Sequence, residues 1–299
     1  MGETQAKDYY RISFAKRFGR LADRPYLDVH VVDHCNLRCR GCIHFAPLAE
    51  RRFLDEGDYA RDLAMLSGVA GIEGYFRAVV LMGGEPLLHP RLPEVMRLTR
   101  RYLPSTPVLL SSNGLLLRGM SDEFWETLVD CGIELTLSSY PLGMDYQALL
   151  ELARQRGVVA GLASDRTERD RGKEVFFKLA LDPTGSQDEQ HSFVNCTFGG
   201  CYLQLVRGAL WPCQVAAHHE PLAQRFSLDM AASDGDCLPL DGLASTGQID
   251  WFRRRPHPLC RFCNNDALEV VEWGRSRLEA SEWLADGGEA GCAAAVRKS

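Results

Sequence analysis

Three cysteines at short spacing constrain this chain more than any other feature: Cys35-Asn-Leu-Arg-Cys39-Arg-Gly-Cys42. Thiols spaced as C-x3-C-x2-C can bind three corners of one iron–sulfur cube. The fourth iron is then left without a protein ligand, and a metal site with an open position is suited to chemistry, as open zinc sites are. The alternatives are a partial zinc site or plain buried thiols. The strand-like run Tyr26–Val32 leads directly into the motif and favours the iron–sulfur interpretation.

Composition excludes several classes of function. The formal net charge of −6 argues against nucleic acid as a partner, because that interaction requires a basic surface. No apolar run is long enough to span a membrane, and the first residues lack the apolar core of a signal peptide. Eleven cysteines without an export signal predict a reducing, cytoplasmic environment, where cysteines serve more often as metal ligands than in disulfides.

From Tyr26 onwards, β-like and helix-like segments alternate. The strands are expected at Tyr26–Asp33, Arg77–Met82, Pro107–Ser112, Ile133–Ser139, Val158–Ala163 and Val175–Leu181. The helices are expected at Tyr59–Val69, Glu94–Tyr102, Glu123–Cys131 and Tyr146–Arg156. Six such alternations predict an α/β fold with a parallel sheet curled into a partial (β/α)6 barrel. Active sites of such sheets lie at the carboxyl ends of the strands.

The cysteine spacing resembles the signature of the radical S-adenosylmethionine (SAM) enzymes. The resemblance implies that Cys35, Cys39 and Cys42 hold a [4Fe–4S] cluster whose open iron binds SAM. In that family an electron from the cluster cleaves SAM to a 5′-deoxyadenosyl radical. The family usually has an aromatic residue just before the third cysteine, where this chain has Gly41. Phe45 is therefore expected to contact the adenine instead.

The segment Gly83-Gly84-Glu85-Pro86 directly follows the second predicted strand. By itself it predicts only a turn in which glycine permits close approach of the backbone. Together with the cysteine loop it resembles the radical SAM segment that binds the methionine amino group.

Polar residues also end the next two predicted strands. Polar side chains at such positions cap the following helix in many proteins. The resemblance implies instead that Asn113, Ser138 and Ser139 bind the ribose and carboxylate of SAM.

A second set of cysteines follows a change of pattern near residue 185. Cys196 and Cys213 flank Gly208, and Cys260-Arg-Phe-Cys263 comes later. Two thiol pairs suit a zinc ion or a fully ligated [4Fe–4S] cluster. The spacing resembles the SPASM appendage of radical SAM enzymes in its shorter twitch form, which implies a second cluster.

These patterns together predict four segments. They are an N-terminal extension (1–25), the barrel (26–185), a twitch-type domain with a C-terminal helix over Ala267–Leu284 (186–285), and a frayed tail (286–299).

Cys201 and Cys237 lie outside the predicted ligand set. Either thiol, at the mouth of the active site, would supply a hydrogen atom and make the enzyme an epimerase. If neither reaches the site, the second cluster would accept an electron from the substrate and make the enzyme a dehydrogenase.

Three further groups are weaker candidates. Arg253-Arg254-Arg255 is either a solvated basic patch or a docking surface for an electron donor such as flavodoxin. Lys178 would hold a substrate anion, and His218-His219-Glu220 would line the substrate cavity.

The sequence therefore predicts a radical SAM enzyme that abstracts a hydrogen atom from a small polar metabolite, such as an aminocyclitol, sugar or nucleoside of natural-product (antibiotic) biosynthesis. The lack of a recognisable leader-peptide-binding domain favours this expectation over a peptide- or protein-modifying maturase. A non-catalytic iron–sulfur or zinc protein is the third alternative. It has no need of an open three-cysteine loop followed by Gly83–Pro86.

Overall fold

The computed structural model describes residues 24–163 and 175–285. The predicted N-terminal extension, the frayed tail and Cys292 lie wholly or largely outside these residues. The strands are β1 (Tyr26–Val32), β2 (Val79–Gly83), β3 (Val108–Ser112), β4 (Ile133–Leu137), β5 (Ala160–Leu162), β6 (Val175–Leu181), β7 (Tyr202–Val206), β8 (Ala209–Trp211), β9 (Leu238–Pro239) and β10 (Cys263–Glu272). The α-helices are α1 (Glu56–Ser67), α2 (Leu92–Tyr102), α3 (Asp122–Asp130), α4 (Tyr146–Gln155), α5 (Glu189–Asn195), α6 (Gln214–His218), α7 (Glu220–Phe226) and α8 (Thr246–Arg253).

The central sheet has the order β5-β4-β3-β2-β1-β7-β8-β9. Strands β1 to β5 are parallel neighbours, and β7 joins β1 in parallel on the other side. Helices connect the barrel strands and pack against them. Leu27, Val29 and Val31 of β1 are buried in the same core as apolar residues of α1 and α2. The expected α/β fold with a partial barrel is confirmed.

Two sequence expectations are wrong. Val175–Leu181 forms no barrel strand, because it pairs antiparallel with β10 in a separate two-stranded sheet. The helix expected over Ala267–Leu284 is replaced by β10 and a single 3₁₀ turn at Ala280–Glu282. Long-range pairing with β6 overrides the local helical preference of this segment.

The sheet also crosses the predicted boundary at residue 185, because β7 to β9 extend it beyond β1. The division into two domains therefore stays a prediction. No helix of the described residues is long and apolar enough to cross a membrane.

Candidate functional site

The three-cysteine loop follows β1 at the carboxyl end of the sheet. Arg38 and Gly41 have φ values of 53° and 66°, and these left-handed residues turn the loop back on itself. Its three thiols lie near enough to Tyr140 to act on that residue's charge, and Cys39 also forms a side-chain hydrogen bond with it. Burial raises the pKa of Tyr140 well above its usual value, and the nearby Cys39, Cys42 and Cys35 raise it further. The structure thus brings the three predicted ligands to one place.

A C-terminal segment, residues 272–284, holds this loop. The backbone N–H of Arg40 donates to the carbonyl of Gly274 at 2.8 Å, and that of Ser276 donates to the carbonyl of Arg38 at 2.8 Å. Two indole groups add side-chain bonds. Trp273 Nε1 donates to Cys39 Sγ at 3.2 Å, and Trp283 Nε1 donates to the carbonyl of Cys42 at 3.0 Å.

Sequence reasoning missed Tyr140, Trp273 and Trp283. Tyr140 directly follows Ser138-Ser139 at the end of β4, so its place at a strand end was a usable signal. The tryptophans lie more than 230 residues along the chain from the cysteines, and no local pattern connects them.

The Gly83–Pro86 segment packs against the start of the cysteine loop. Gly84 N donates to the carbonyl of Val32 at 2.6 Å, and Glu85 N donates to that of His34 at 3.1 Å. A Cβ added at Gly84 would overlap the carbonyl of His34, and one added at Gly83 would lie 2.5 Å from the carbonyl oxygen of Val32. These glycines thus allow close approach to the protein's own loop.

The carboxylate of Glu85 is held by the protein itself. It accepts hydrogen bonds from Ser112 Oγ at 2.7 Å, from Asn113 N at 2.9 Å and from Leu87 N at 3.1 Å. Burial raises its pKa to about 7 although these bonds lower it. Glu85 thus ties the end of β3 to the turn that begins at Pro86. The expected contact with an ammonium group stays a prediction.

The polar residues at the next strand ends are also buried near the loop. Asn113 Nδ2 donates to Asn36 Oδ1 at 2.7 Å and lies 3.8 Å from Cys35 Sγ. Ser138 and Ser139 are buried after β4, and the N–H of Ser138 donates to the carbonyl of Ser112 at 2.8 Å. The structure thus brings Asn113 to the cysteine loop and places the two serines one strand further along the same sheet edge.

Phe45 is buried among apolar residues. Its side chain is 1% exposed and lies in an apolar cluster with Leu181, Phe262 and Trp283. A ring packed in this core offers little free surface to a ligand, and the predicted adenine contact stays a prediction.

The second cysteine set lines one pocket. Cys196, Cys213, Cys260 and Cys263 all border it, together with apolar residues such as Phe193 and Val215. Burial raises the pKa of Cys260 to about 12 and holds that of Cys263 well above its usual value. Cysteine binds metal as the thiolate. Such buried thiolates therefore need the positive charge of a metal group.

Cys201 and Cys237 lie away from the three-cysteine loop. The carbonyl of Cys201 accepts from Tyr26 N at 2.9 Å, at the opposite end of β1 from that loop. A strand rises about 3.3 Å per residue, so β1 separates Cys201 from the loop by about 20 Å. Cys237 precedes the edge strand β9, three strands from β1. These positions do not favour a role of either thiol at the reacting carbon, and that role stays a prediction.

The remaining candidates have different environments in the structure. Lys178 is buried and forms an ion pair with Glu269 at 2.9 Å, so its charge is already balanced. Arg253 is buried and bonds Asp250 and the carbonyl of Gly200, each at 2.7 Å. Arg255 lies over the ring of the exposed Trp251, at 3.9 Å from its centroid.

The barrel interior beside β1 is polar. Side chains alternate along a strand, so Asp28 and His30 point away from the core that buries Val29. Asp28 Oδ2 accepts from Gln204 Nε2 at 2.7 Å and from Gln214 Nε2 at 3.0 Å. Burial raises the pKa of Asp28 to about 7.

Both thiol sets fit iron–sulfur groups by their chemistry. Three thiols meet at the loop after β1, and four thiols line the second pocket. The first set leaves one position open, whereas the second provides complete coordination.

Comparison with known proteins concerns the part of the chain that contains the three-cysteine loop. Residues 29–146 match the model of the radical SAM superfamily. These residues are a radical SAM domain. The expected superfamily and enzyme class are confirmed. Domains of this superfamily use a [4Fe–4S] cluster and SAM, so both cofactors belong to this domain. The match ends before the second cysteine set, and a second cluster stays a proposal.

Curated relatives of this radical SAM protein carry the name GTP 3′,8-cyclase. The protein of Chlorobaculum tepidum is 33% identical over 123 residues, 41% of this chain and 35% of the relative. That of Bradyrhizobium diazoefficiens is 27% identical over 267 residues, 83% of this chain and 74% of the relative. The chain thus spans about a third of the first relative's length and three quarters of the second's.

Among solved structures, BtrN in complex with AdoMet and 2-DOIA is similar at 16% identity. The TM-score is 0.49, and the likeness covers 82% of this chain and 94% of BtrN. SuiB of Streptococcus suis bound to S-adenosylmethionine is similar at 12% identity, with a TM-score of 0.39 over 95% of this chain and 81% of SuiB. These values are low, and the two likenesses carry no functional argument.

Proposed function

We propose that this protein is a radical SAM enzyme that abstracts a hydrogen atom from a carbon of a small polar metabolite and oxidises it. The observation that carries the proposal is the polar barrel interior beside β1, the strand that leads into the three-cysteine loop. Buried polar side chains require polar partners. Asp28 Oδ1 is buried and has none among the described residues. A polar substrate would supply it.

Within this proposal, Cys35, Cys39 and Cys42 hold the SAM cluster. Gly83, Gly84 and Pro86 shape the backbone beside it, and Glu85 and Asn113 fix the cysteine loop through their hydrogen bonds. Ser138 and Ser139 lie one strand further along and would contact SAM. A cluster bound there together with SAM would supply the 5′-deoxyadenosyl radical that hydrogen-atom abstraction requires.

Oxidation of an alcohol carbon then requires the loss of a proton and an electron. Asp28 is suited to take the proton at Oδ1, because burial raises its pKa to about 7 and Oδ2 is already held by two amides. The four thiols of the second pocket suit an electron-accepting cluster, since complete coordination leaves no position for substrate. The distance of Cys201 and Cys237 from the loop supports oxidation over epimerisation.

The substrate class includes nucleotides. The relatives named GTP 3′,8-cyclase make GTP the first compound to assay. An external reductant is also needed, and a flavodoxin-type donor would meet Arg254 and Arg255 rather than the buried Arg253.

The test of the radical site is anaerobic reconstitution followed by measurement of 5′-deoxyadenosine. We expect reductant-dependent release from the wild type. We expect none from the triple variant Cys35→Ala, Cys39→Ala, Cys42→Ala, with about half of the iron retained because a second cluster remains. Cys131→Ala is the matched control, since this buried thiol lies at the end of α3, outside both sets. SAM cleavage by the triple variant would refute the assignment, and its complete loss of iron would refute the second cluster.

The test of the substrate class uses deuterated compounds. Carbon-bound deuterium from a true substrate should appear in 5′-deoxyadenosine, and an oxidised product should accumulate. Transfer from a peptide and from no small metabolite would show a maturase instead. An unoxidised product that has gained solvent deuterium would show an epimerase.

A further inference from the structure

Three histidines from separate parts of the chain meet inside the barrel. His30 is on β1, His44 follows the three-cysteine loop and His218 ends α6. One ring nitrogen from each lies within 4.8 Å of the others. The ring centroids of His30 and His218 are 4.0 Å apart, and those of His30 and His44 are 5.2 Å apart. This group forms the only set of metal-ligating side chains at such spacing in the described residues.

His30 is oriented by a carboxylate. Its Nδ1 lies 3.1 Å from Asp33 Oδ1, and Asp33 Oδ2 accepts from Arg52 Nε at 2.6 Å. This contact leaves Nε2 of His30 as the atom that faces the group. The side chain is only 3% exposed, and within the described chain Nε2 has no hydrogen-bond partner. A histidine that donates one ring nitrogen to a carboxylate while the other remains available is the usual arrangement of a metal ligand.

His218 provides a second such atom. Its Nε2 is buried and also lacks a hydrogen-bond partner in the described chain. A buried polar atom without a partner costs about 1–3 kcal/mol, so two of them at one point require an explanation. His89, a buried histidine elsewhere in the fold, uses both ring nitrogens, which lie 2.9 Å from the carbonyl oxygen of Leu54 and 3.1 Å from the backbone nitrogen of Arg91.

A bound cation explains the group better than a bound anion does. To hold an anion the imidazoles would have to be protonated, and three positive rings 4.0–6.0 Å apart would repel one another. The nearest guanidinium, that of Arg52, is already paired with Asp33. A divalent cation instead binds neutral imidazole.

We propose that His30, His44 and His218 bind a divalent first-row transition metal such as Zn²⁺. Zinc–nitrogen bonds of about 2.0–2.1 Å in a tetrahedron place ligand nitrogens about 3.4 Å apart. The ring nitrogens, within 4.8 Å of one another, therefore need to approach by about 1.4 Å at most. Three imidazoles leave a fourth position, and the polar interior beside Asp28 suits an oxygen ligand there, from water or from a substrate hydroxyl or phosphate.

The test uses protein whose cysteine sites are first filled with iron and sulfide. Zinc is then added under anaerobic conditions, and zinc and iron are measured in the desalted protein. We expect one zinc for each wild-type chain, and at least a tenfold loss in each of His30→Ala and His218→Gln with iron unchanged. His191→Ala is the matched control, because this exposed histidine pairs with Asp266 far from the group.

Two further measurements make the result independent of folding. Asp33→Asn keeps all three ligands and should weaken zinc binding by 10–100-fold, the usual effect of losing a carboxylate that orients a ligand. Zinc K-edge X-ray absorption of the zinc-loaded wild type should show nitrogen or oxygen neighbours at about 2.0–2.1 Å and no sulfur neighbour at about 2.3 Å. A sulfur neighbour, zinc content below a tenth of an equivalent in the wild type, or equal content in His30→Ala and wild type would overturn the proposal.

Discussion

Replacing Asp28 by asparagine should change how stability depends on pH. Asp28 is buried in the barrel interior, and burial raises its pKa from 3.8 to about 7. Below pH 4 the carboxyl is protonated in both the folded and the unfolded chain. Between pH 4 and 7 only the folded chain keeps the proton, so raising the pH favours unfolding. Above pH 7 the folded chain carries the full cost of a buried charge.

The size of the effect follows from the two pKa values. The interval from 3.8 to about 7, at about 1.4 kcal/mol for each pH unit, corresponds to about 4 kcal/mol of unfolding free energy. The Asp28→Asn variant would lack this pH-dependent contribution to the free energy of unfolding. Its amide would put an N–H in the buried position of Oδ1, and an unpartnered buried N–H costs about 1–3 kcal/mol, which is the same at every pH. The pH dependence of the difference between the two proteins therefore isolates the carboxyl.

The assay is urea unfolding of the cluster-loaded protein, followed by far-ultraviolet circular dichroism between pH 4 and 8. We expect Asp28→Asn to gain about 4 kcal/mol relative to the wild type across this range, and the exposed control Asp241→Asn to follow the wild type. A constant difference between Asp28→Asn and the wild type would refute a raised pKa at Asp28.

Three further predictions test the site. Gly84→Ala should reduce SAM-cluster iron and slow 5′-deoxyadenosine release at least tenfold, because its Cβ would overlap the carbonyl of His34 and displace the cysteine loop. Gly119→Ala, the control, has open space around it and should have neither effect. Normal activity of Gly84→Ala would contradict this packing. Trp273→Phe should make the reduction potential of the SAM cluster more negative in an EPR-monitored titration, because it removes the hydrogen bond to Cys39 Sγ; an unchanged potential would show that this bond is absent when the cluster is bound. Cys201→Ala should retain SAM cleavage, product formation and both iron contents, since Cys201 lies at the far end of β1; loss of product with SAM cleavage intact would restore its role as a hydrogen donor.

The sequence predicted the barrel well because its strands are short, apolar and followed by helices with clear caps. Asp145 and Ser121, for instance, each accept from a backbone N–H at a helix start. Parallel strands place their carboxyl ends on one edge, which is why the cysteine loop and Gly83–Pro86 could be expected to meet there.

The remaining features depend on distant contacts. Val175–Leu181 has the composition of a barrel strand, and only its pairing with β10 places it elsewhere. The histidine group joins positions 30, 44 and 218, and no periodicity connects them. Phe45 was expected to contact the adenine of SAM because it follows the cysteines. Its backbone is left-handed, with φ of 53°, and its side chain lies in the apolar cluster with Leu181, Phe262 and Trp283.

The clamp that residues 272–284 place on the cysteine loop fixes the order in which the protein can be assembled. Arg38, Arg40 and Cys42 bond to residues that leave the ribosome more than 230 positions later. At about 5–20 residues per second, the thiols are exposed for about 10–50 s before their supports exist. A cluster inserted before that point, or into a chain truncated before Trp273, would sit in a loop without these hydrogen bonds.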